Sequence, residues 1–163
     1  MQDPRRRNPR HPLVGVGAVV LHGDRQGKRH GERHGDRVLL VRRANPPRAG
    51  EWSLPGGLQQ LGETVAEAAC REVREETGVD IRVLGVVEVI DLIEYDDAGA
   101  GISYHYTLVD VLATWRSGEA TAGEDAADAA WVDLDRVQSM EMWSETTRII
   151  HLAHKAWTEA GCP

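Results

Sequence analysis

Residues Gly57–Val79 read GLQQLGETVAEAACREVREETGV, and their punctuation predicts a helix over Thr64–Thr77. Thr64 with Glu67 three residues on makes a capping box, and Gly78 stands where a left-handed residue ends a helix. At about 100° per residue the faces separate. Ala66, Ala69, Cys70, Val73 and Thr77 form an apolar stripe that can dock on a sheet. Glu72, Glu75 and Glu76 share one edge, with only the small Ala68 among them to leave room for an ion or a phosphate. Glu67, Arg71 and Arg74 fill the outer arc.

The acidic edge breaks local rules. Glu75 and Glu76 lie in the last turn, where the helix dipole disfavours anions by roughly 0.3–1 kcal/mol each, and Glu72 with Glu76 is a repulsive i,i+4 pair. A solvated acidic face is the ordinary explanation of a Glu cluster. It does not explain violations at neighbouring positions, which is where function is expected. A hard divalent cation removes the penalty, because Mg2+ takes oxygen ligands and keeps its other positions for water and substrate phosphates.

Around this helix the chain has 163 residues, 41% hydrophobic and 28% charged, which predicts one domain able to bury a core unaided. Its two cysteines, Cys70 and Cys162, give neither a disulfide framework nor zinc-ligand spacing, so a reducing cytoplasm is expected. No run approaches the ~18 apolar residues of a membrane span. The basic start (Arg5, Arg6, Arg7, Arg10) lacks the apolar core of a secretory signal. Net charge is −7, yet residues 1–12 and 22–37 together carry +5 and leave −12 on the rest. That acidic body argues against a nucleic-acid surface and suits cation binding.

Residues 1–12, with prolines among arginines, are expected to be a flexible basic arm. Leu13–Leu21 reads as a strand buried on both faces. Residues 22–37 parse as HGDR, QGKR, HGER and HGDR, a low-complexity insertion whose His22, His30 and His34 nothing preorganises for a metal. Val38–Arg43 is the partner strand, and Trp52–Leu54 is a short extended piece before Pro55 and the Gly56–Gly57 pair. Ile81–Tyr95 and Ile102–Trp115 are β-rich runs joined by a turn at residues 96–101. A small-residue, acidic loop reaches Ala130, followed by a short strand at Trp131–Leu134. The last helix is expected from Ser144, with Ile149, Leu152, Ala153 and Ala156 on its buried face and His151 and His154 on a solvated flank.

The spacing Gly57, five residues, Glu63, seven residues, Arg71-Glu72-Val73, one residue, Glu75-Glu76, one residue, Gly78-Val79 resembles the Nudix box at all nine fixed or apolar positions. At typical residue frequencies a chance match is on the order of one in 10^8 per starting point. The resemblance implies an α/β fold, a Nudix α/β/α sandwich with a mixed sheet between the box helix and the C-terminal helix, over residues 13–160. It also implies hydrolysis of a nucleoside diphosphate linked to another moiety, with Mg2+ or Mn2+ held by Glu72, Glu75, Glu76 and the Gly56 carbonyl. Glu75 and Glu72 would then be catalytic. Glu63, Arg71, Gly57 and Gly78 would be structural, with Arg71 clamping box carboxylates. The box departs from the commoner pattern at Gln59, Gln60 and Leu61. For the general base, Glu124 and Asp125 in the later acidic loop are the candidates.

The opening Arg10–Val14, the Arg42-Arg43 and Pro46-Pro47 segment and Trp52-Ser53-Leu54-Pro55 look like bacterial ADP-ribose pyrophosphatase-type members, although no proline occurs between Pro55 and Pro163. Tyr95, sixteen residues beyond the box, sits where dinucleoside polyphosphate hydrolases often carry Tyr. That leaves dinucleoside polyphosphate or (d)NTP hydrolysis as the alternative, and a non-catalytic nucleotide sensor behind it. Trp52, Tyr95, Tyr104 and Tyr106 either stack on a base or pack in the sheet. The expected partner is a small nucleotide, not a membrane or a nucleic acid, and the resemblance allows a homodimer.

Overall fold

The computed structural model describes residues 7–23, 36–46, 48–123 and 125–161. Residues 1–6 of the basic arm, residues 24–35 of the tetrapeptide insertion, the candidate base Glu124 and Cys162 lie outside the described residues. Asn8, within the arm, donates its N–H to the Ser103 carbonyl at 2.9 Å.

Among the described residues seven strands and two helices follow in the order β1 (Leu13–His22), β2 (Arg37–Arg43), β3 (Trp52–Ser53), β4 (Gly56–Leu58), α1 (Val65–Thr77), β5 (Asp80–Tyr95), β6 (Ile102–Ser117), β7 (Ala126–Asp133) and α2 (Ser144–Glu159), with a 3-10 turn at Leu134–Ser139 before α2. β1 is central. It runs parallel to β6 on one side, and β6 is antiparallel to the edge strand β5. On its other side β1 pairs with β4 near its start and with β2 only at its end, through Leu21↔Val38 and His22↔Arg37. Beyond that point β1 and β2 part. β2 turns to β3 and β7, and the gap between β1 and β2 becomes a cleft.

The apolar run of β1 explains the layers. Val16, Ala18 and Val20 pack under α1 with Ala69, Val73 and Val111. Val19 and Leu21 pack under α2 with Leu54, Ile149, Ile150, Ala153 and Trp157. Side chains alternate faces along a strand, so a strand covered on both sides needs apolar residues at every position. The mixed sheet between two helices is the expected α/β/α sandwich.

Helix α1 has the expected caps. Thr64 accepts the Glu67 N–H, the Glu67 side chain accepts the Thr64 N–H, and Gly78 is left-handed at φ 70°.

Three expectations are corrected. Ala68 is fully buried in the core and Ala66 is exposed, because α1 packs on β4 as well as on β1 and β5 and its buried arc turns toward the acidic edge. On α2 the buried residues are Thr146, Ile149, Ile150, Ala153 and Trp157. Leu152 is 40% exposed and Ala156 is exposed, since the large Trp157 takes the sheet-facing place. Finally, β7 starts at Ala126 rather than Trp131. Ala and Asp have low strand propensity, but pairing along β2 overrides it.

Candidate active site

The C-terminal half of α1, the β4 turn and the loop before β7 meet at one end of the cleft. Arg71 organises the junction. Its Nε and Nη2 donate to the two carboxylate oxygens of Glu63 at 2.6 and 3.0 Å, Nη1 donates to Glu72 at 2.7 Å and Glu75 at 3.1 Å, and Nη2 also reaches the Leu58 carbonyl at 3.0 Å. A guanidinium presents a fixed fork of donors, so one side chain ties the box loop to the helix. The Arg71 hydrogen bonds and the Gln60 N–H hold the Glu63 carboxyl down at about 2.

Glu76 faces the other way. Its Oε2 accepts the Gly56 N–H at 2.9 Å. Burial pushes its carboxyl up to about 7, and the charges of Glu72 and Asp125 add to this against Gly56 and Arg43. Close approach demands the glycines here. A Cβ on Gly57 would lie 2.4 Å from the Glu72 carboxylate, and one on Gly56 would lie 2.0 Å from the Val16 carbonyl oxygen.

The loop before β7 docks on the end of α1, where helix carbonyls lack partners. Thr121 and Gly123 donate N–H groups to the Thr77 and Glu76 carbonyls at 2.9 and 2.8 Å. This brings Asp125 to the cavity that Glu72, Glu75 and Glu76 line.

That cavity is about 500 Å³. Beyond the carboxylates it is walled by Leu54, Leu108, Ile90, Leu92, Tyr106 and Trp143. Of the aromatic candidates, Trp52 and Tyr106 line it, Tyr104 stacks on Tyr106 with centroids 6.4 Å apart, and Tyr95 stands 63% exposed outside the lining. Among the lining residues that escaped the sequence reading are Asp110, Arg48 and Trp143. Asp110 had a usable signal, as the one acid within the apolar run Leu108–Ala113. Arg48, at φ 60°, lies over the Trp143 ring at 5.1 Å, a contact between distant loops with no local signature.

The donor set fits a hard divalent ion. Glu72, Glu75 and Glu76 line the cavity, and the bare Gly57 leaves Glu72 room. Among the described residues no three such side chains are already gathered round one point. Mg2+ suits that arrangement, because it binds through one or two carboxylates and completes its shell with water and substrate phosphate.

The family model for the NUDIX domain matches residues 11–153. The ADP-ribose pyrophosphatase of Methanocaldococcus jannaschii is 34% identical over 130 residues, covering 80% of this chain and 67% of its own length. A NUDIX hydrolase from Nitrosomonas europaea superposes with TM-score 0.68 at 22% identity over 90% of both chains. The NUDIX domain of Shewanella oneidensis NrtR complexed with ADP ribose gives 0.65 at 22% identity, over 95% of this chain and 93% of that one.

Proposed function

The chain belongs to the NUDIX domain family, and on that footing we propose that it hydrolyses the pyrophosphate bond of a nucleoside diphosphate linked to another moiety, with ADP-ribose as the representative substrate. The observation that carries this reading is one cavity lined both by the carboxylates Glu72, Glu75, Glu76 and Asp125 and by apolar and aromatic side chains. A pyrophosphate suits the first through bound cations, and a nucleoside suits the second. The name of the Methanocaldococcus relative and the ADP ribose held by the Shewanella domain favour the same substrate class.

In this proposal Glu72, Glu75, Glu76 and the Gly56 carbonyl hold Mg2+ or Mn2+. The ion, when bound, neutralises phosphate charge and lowers the pKa of a water. Arg71 keeps Glu72 and Glu75 in one orientation, and Gly56 does the same for Glu76 through its N–H. Glu124 or Asp125 takes the proton from the attacking water. The water oxygen bonds to phosphorus as the bridging P–O bond breaks, which gives a nucleoside monophosphate and a phosphorylated second product. Glu63, Gly57 and Gly78 serve the backbone that carries these groups. No helix among the described residues is long and apolar enough to cross a membrane, and the free thiol of Cys70 suits a reducing cytoplasm.

The test is a panel of ADP-ribose, NADH, dinucleoside polyphosphates and (d)NTPs with Mg2+ or Mn2+, products identified by chromatography. AMP and ribose 5-phosphate from ADP-ribose are expected. No turnover of any member would overturn the proposal.

A further inference from the structure

On the α2 side of the sheet, the floor of the cavity is bare at two places. Odd positions of β1 face α2, and at 15 and 17 they are glycines. The parallel register sets Gly17 beside Asp110 of β6, and a Cβ on Gly17 would lie 2.2 Å from the Asp110 Oδ1. The missing side chain is therefore what lets the Asp110 carboxylate lie across the floor. Asp110 is 6% exposed and lines the cavity, and among the described residues its carboxylate has no hydrogen-bond partner.

The charges that face it are Glu88, its register neighbour on β5, and Arg148 of α2. Arg148 is already bound to Glu88 at 2.7 Å and to Glu145 at 2.8 Å. A buried carboxylate left without a donor is costly, and such a group facing a cavity is matched when a ligand brings the donor.

Asp110 lines the same cavity as the carboxylates of α1 but comes from β6, and the register Gly56, Gly17, Asp110 across β4, β1 and β6 places Gly17 between it and the Gly56 that binds Glu76. Leu54, Leu108, Ile90, Tyr106 and Trp143 line the same cavity, walls that suit a flat, apolar group with a polar edge.

We propose that Asp110 reads the nucleobase, accepting a hydrogen bond from an exocyclic amino group, so that adenine and cytosine are preferred over their oxo counterparts hypoxanthine and uracil. This rests on the nucleotide reading above and names the part of the substrate that selects it. Burial pushes the Asp110 carboxyl up to about 6, so at pH 7.5 it is mostly ionised and can only accept. A carbonyl in the place of the amine turns an acceptor toward a carboxylate, which repels it. Sites built round such a bond discriminate strongly against the analogue that lacks the donor.

The experiment compares matched pairs at pH 7.5 with Mg2+. Binding of the product-type ligands AMP against IMP and CMP against UMP is measured by calorimetry. In parallel, kcat/KM is measured for ADP-ribose against its hypoxanthine counterpart. The wild type is expected to favour the amino member of each pair by about tenfold or more. Asp110→Asn, whose amide offers both donor and acceptor, should narrow the preference to about twofold, with a thermal midpoint that holds or rises. Gly17→Ala keeps the carboxylate but displaces it, and should lose the same preference. Equal binding of amino and oxo members by the wild type would overturn the inference, as would an Asp110→Asn loss that is uniform across the pairs. Absence of turnover with amino-selective binding intact would instead overturn the hydrolytic reading alone.

Discussion

Arg71 and Glu63 are joined by two hydrogen bonds, from Nε at 2.6 Å and from Nη2 at 3.0 Å, so one guanidinium fastens the loop before α1 to the middle of the helix. Both side chains are about four-fifths shielded from solvent, and the same Arg71 orients Glu72 and Glu75. Arg71→Ala is expected to lower both the thermal midpoint, by several degrees, and kcat/KM, by at least a hundredfold, because the carboxylates it leaves unpaired repel one another. Arg71→Lys keeps the charge but not the fork, and should recover more of the midpoint than of the activity. Melting curves in EDTA and steady-state kinetics check the two effects. An Arg71→Ala protein with wild-type kcat/KM would contradict the orienting role.

The metal-free protein should lose stability as pH rises from about 4.5 to 7. Glu76, at about 7 in the fold against 4.5 unfolded, and Asp110, at about 6 against 3.8, both bind protons more tightly when folded. Their contribution is therefore full below the unfolded values and is lost as pH passes the folded ones. Glu63, Glu67 and Asp80 are shifted down, so their opposite effect falls below about pH 4.5 and leaves the upper window clear. Thermal midpoints in EDTA between pH 5 and 8 should fall and then level. Glu76→Gln should flatten the fall, and an unchanged slope in that variant would contradict the assignment.

Gly123 lies so close to α1 that a Cβ would be 2.0 Å from the Glu75 carbonyl oxygen. Gly123→Ala must lift the loop carrying residues 124 and 125 away from the carboxylates. Activity should drop about tenfold or more, with a midpoint change of a few degrees at most, since that loop is at the surface. If activity is unaffected, the acids of this loop take no part in the chemistry.

Residues 24–35 can be replaced by Asn-Gly. His22 and Arg37 are paired at the ends of β1 and β2, so a short hairpin connection fits there. Turnover with residues 1–6 of the basic arm also removed should stay within a few-fold of wild type. A large loss would show that these basic segments bind or steer the substrate.

Helix α1 was legible because everything that specifies it is local: the Thr64–Glu67 box, the Gly78 cap and the period of its apolar positions. The layers were legible in β1 for a similar reason, since an uninterrupted apolar strand requires cover on both faces. What sequence could not place depended on distant partners. Ala68 is buried because β4 closes over it, β7 gains residues 126–130 from pairing with β2, and the face of α2 is set by Trp157 rather than Leu152. The carboxylate end of the cavity lies within 23 consecutive residues and could be read directly. The rest of the lining is assembled from β1, β6, the loop at Arg48 and the start of α2; the sequence reading named Trp52 and Tyr106 for it and passed over Asp110, an acid in a buried strand.

The most direct measurement is kcat/KM with Mg2+ for Glu76→Gln beside Glu67→Gln, on whichever panel substrate the wild type cleaves fastest. The two changes replace a carboxylate by an amide on one helix. Glu76 faces the cavity beside Gly56, whereas Glu67 is exposed and serves only the Thr64 cap. Glu76→Gln should lose at least a hundredfold while its metal-free midpoint holds or rises. Glu67→Gln should stay within about threefold of wild type. Equal kcat/KM for the two variants would make the acidic edge an ordinary solvated face and contradict a metal-dependent active site on this helix.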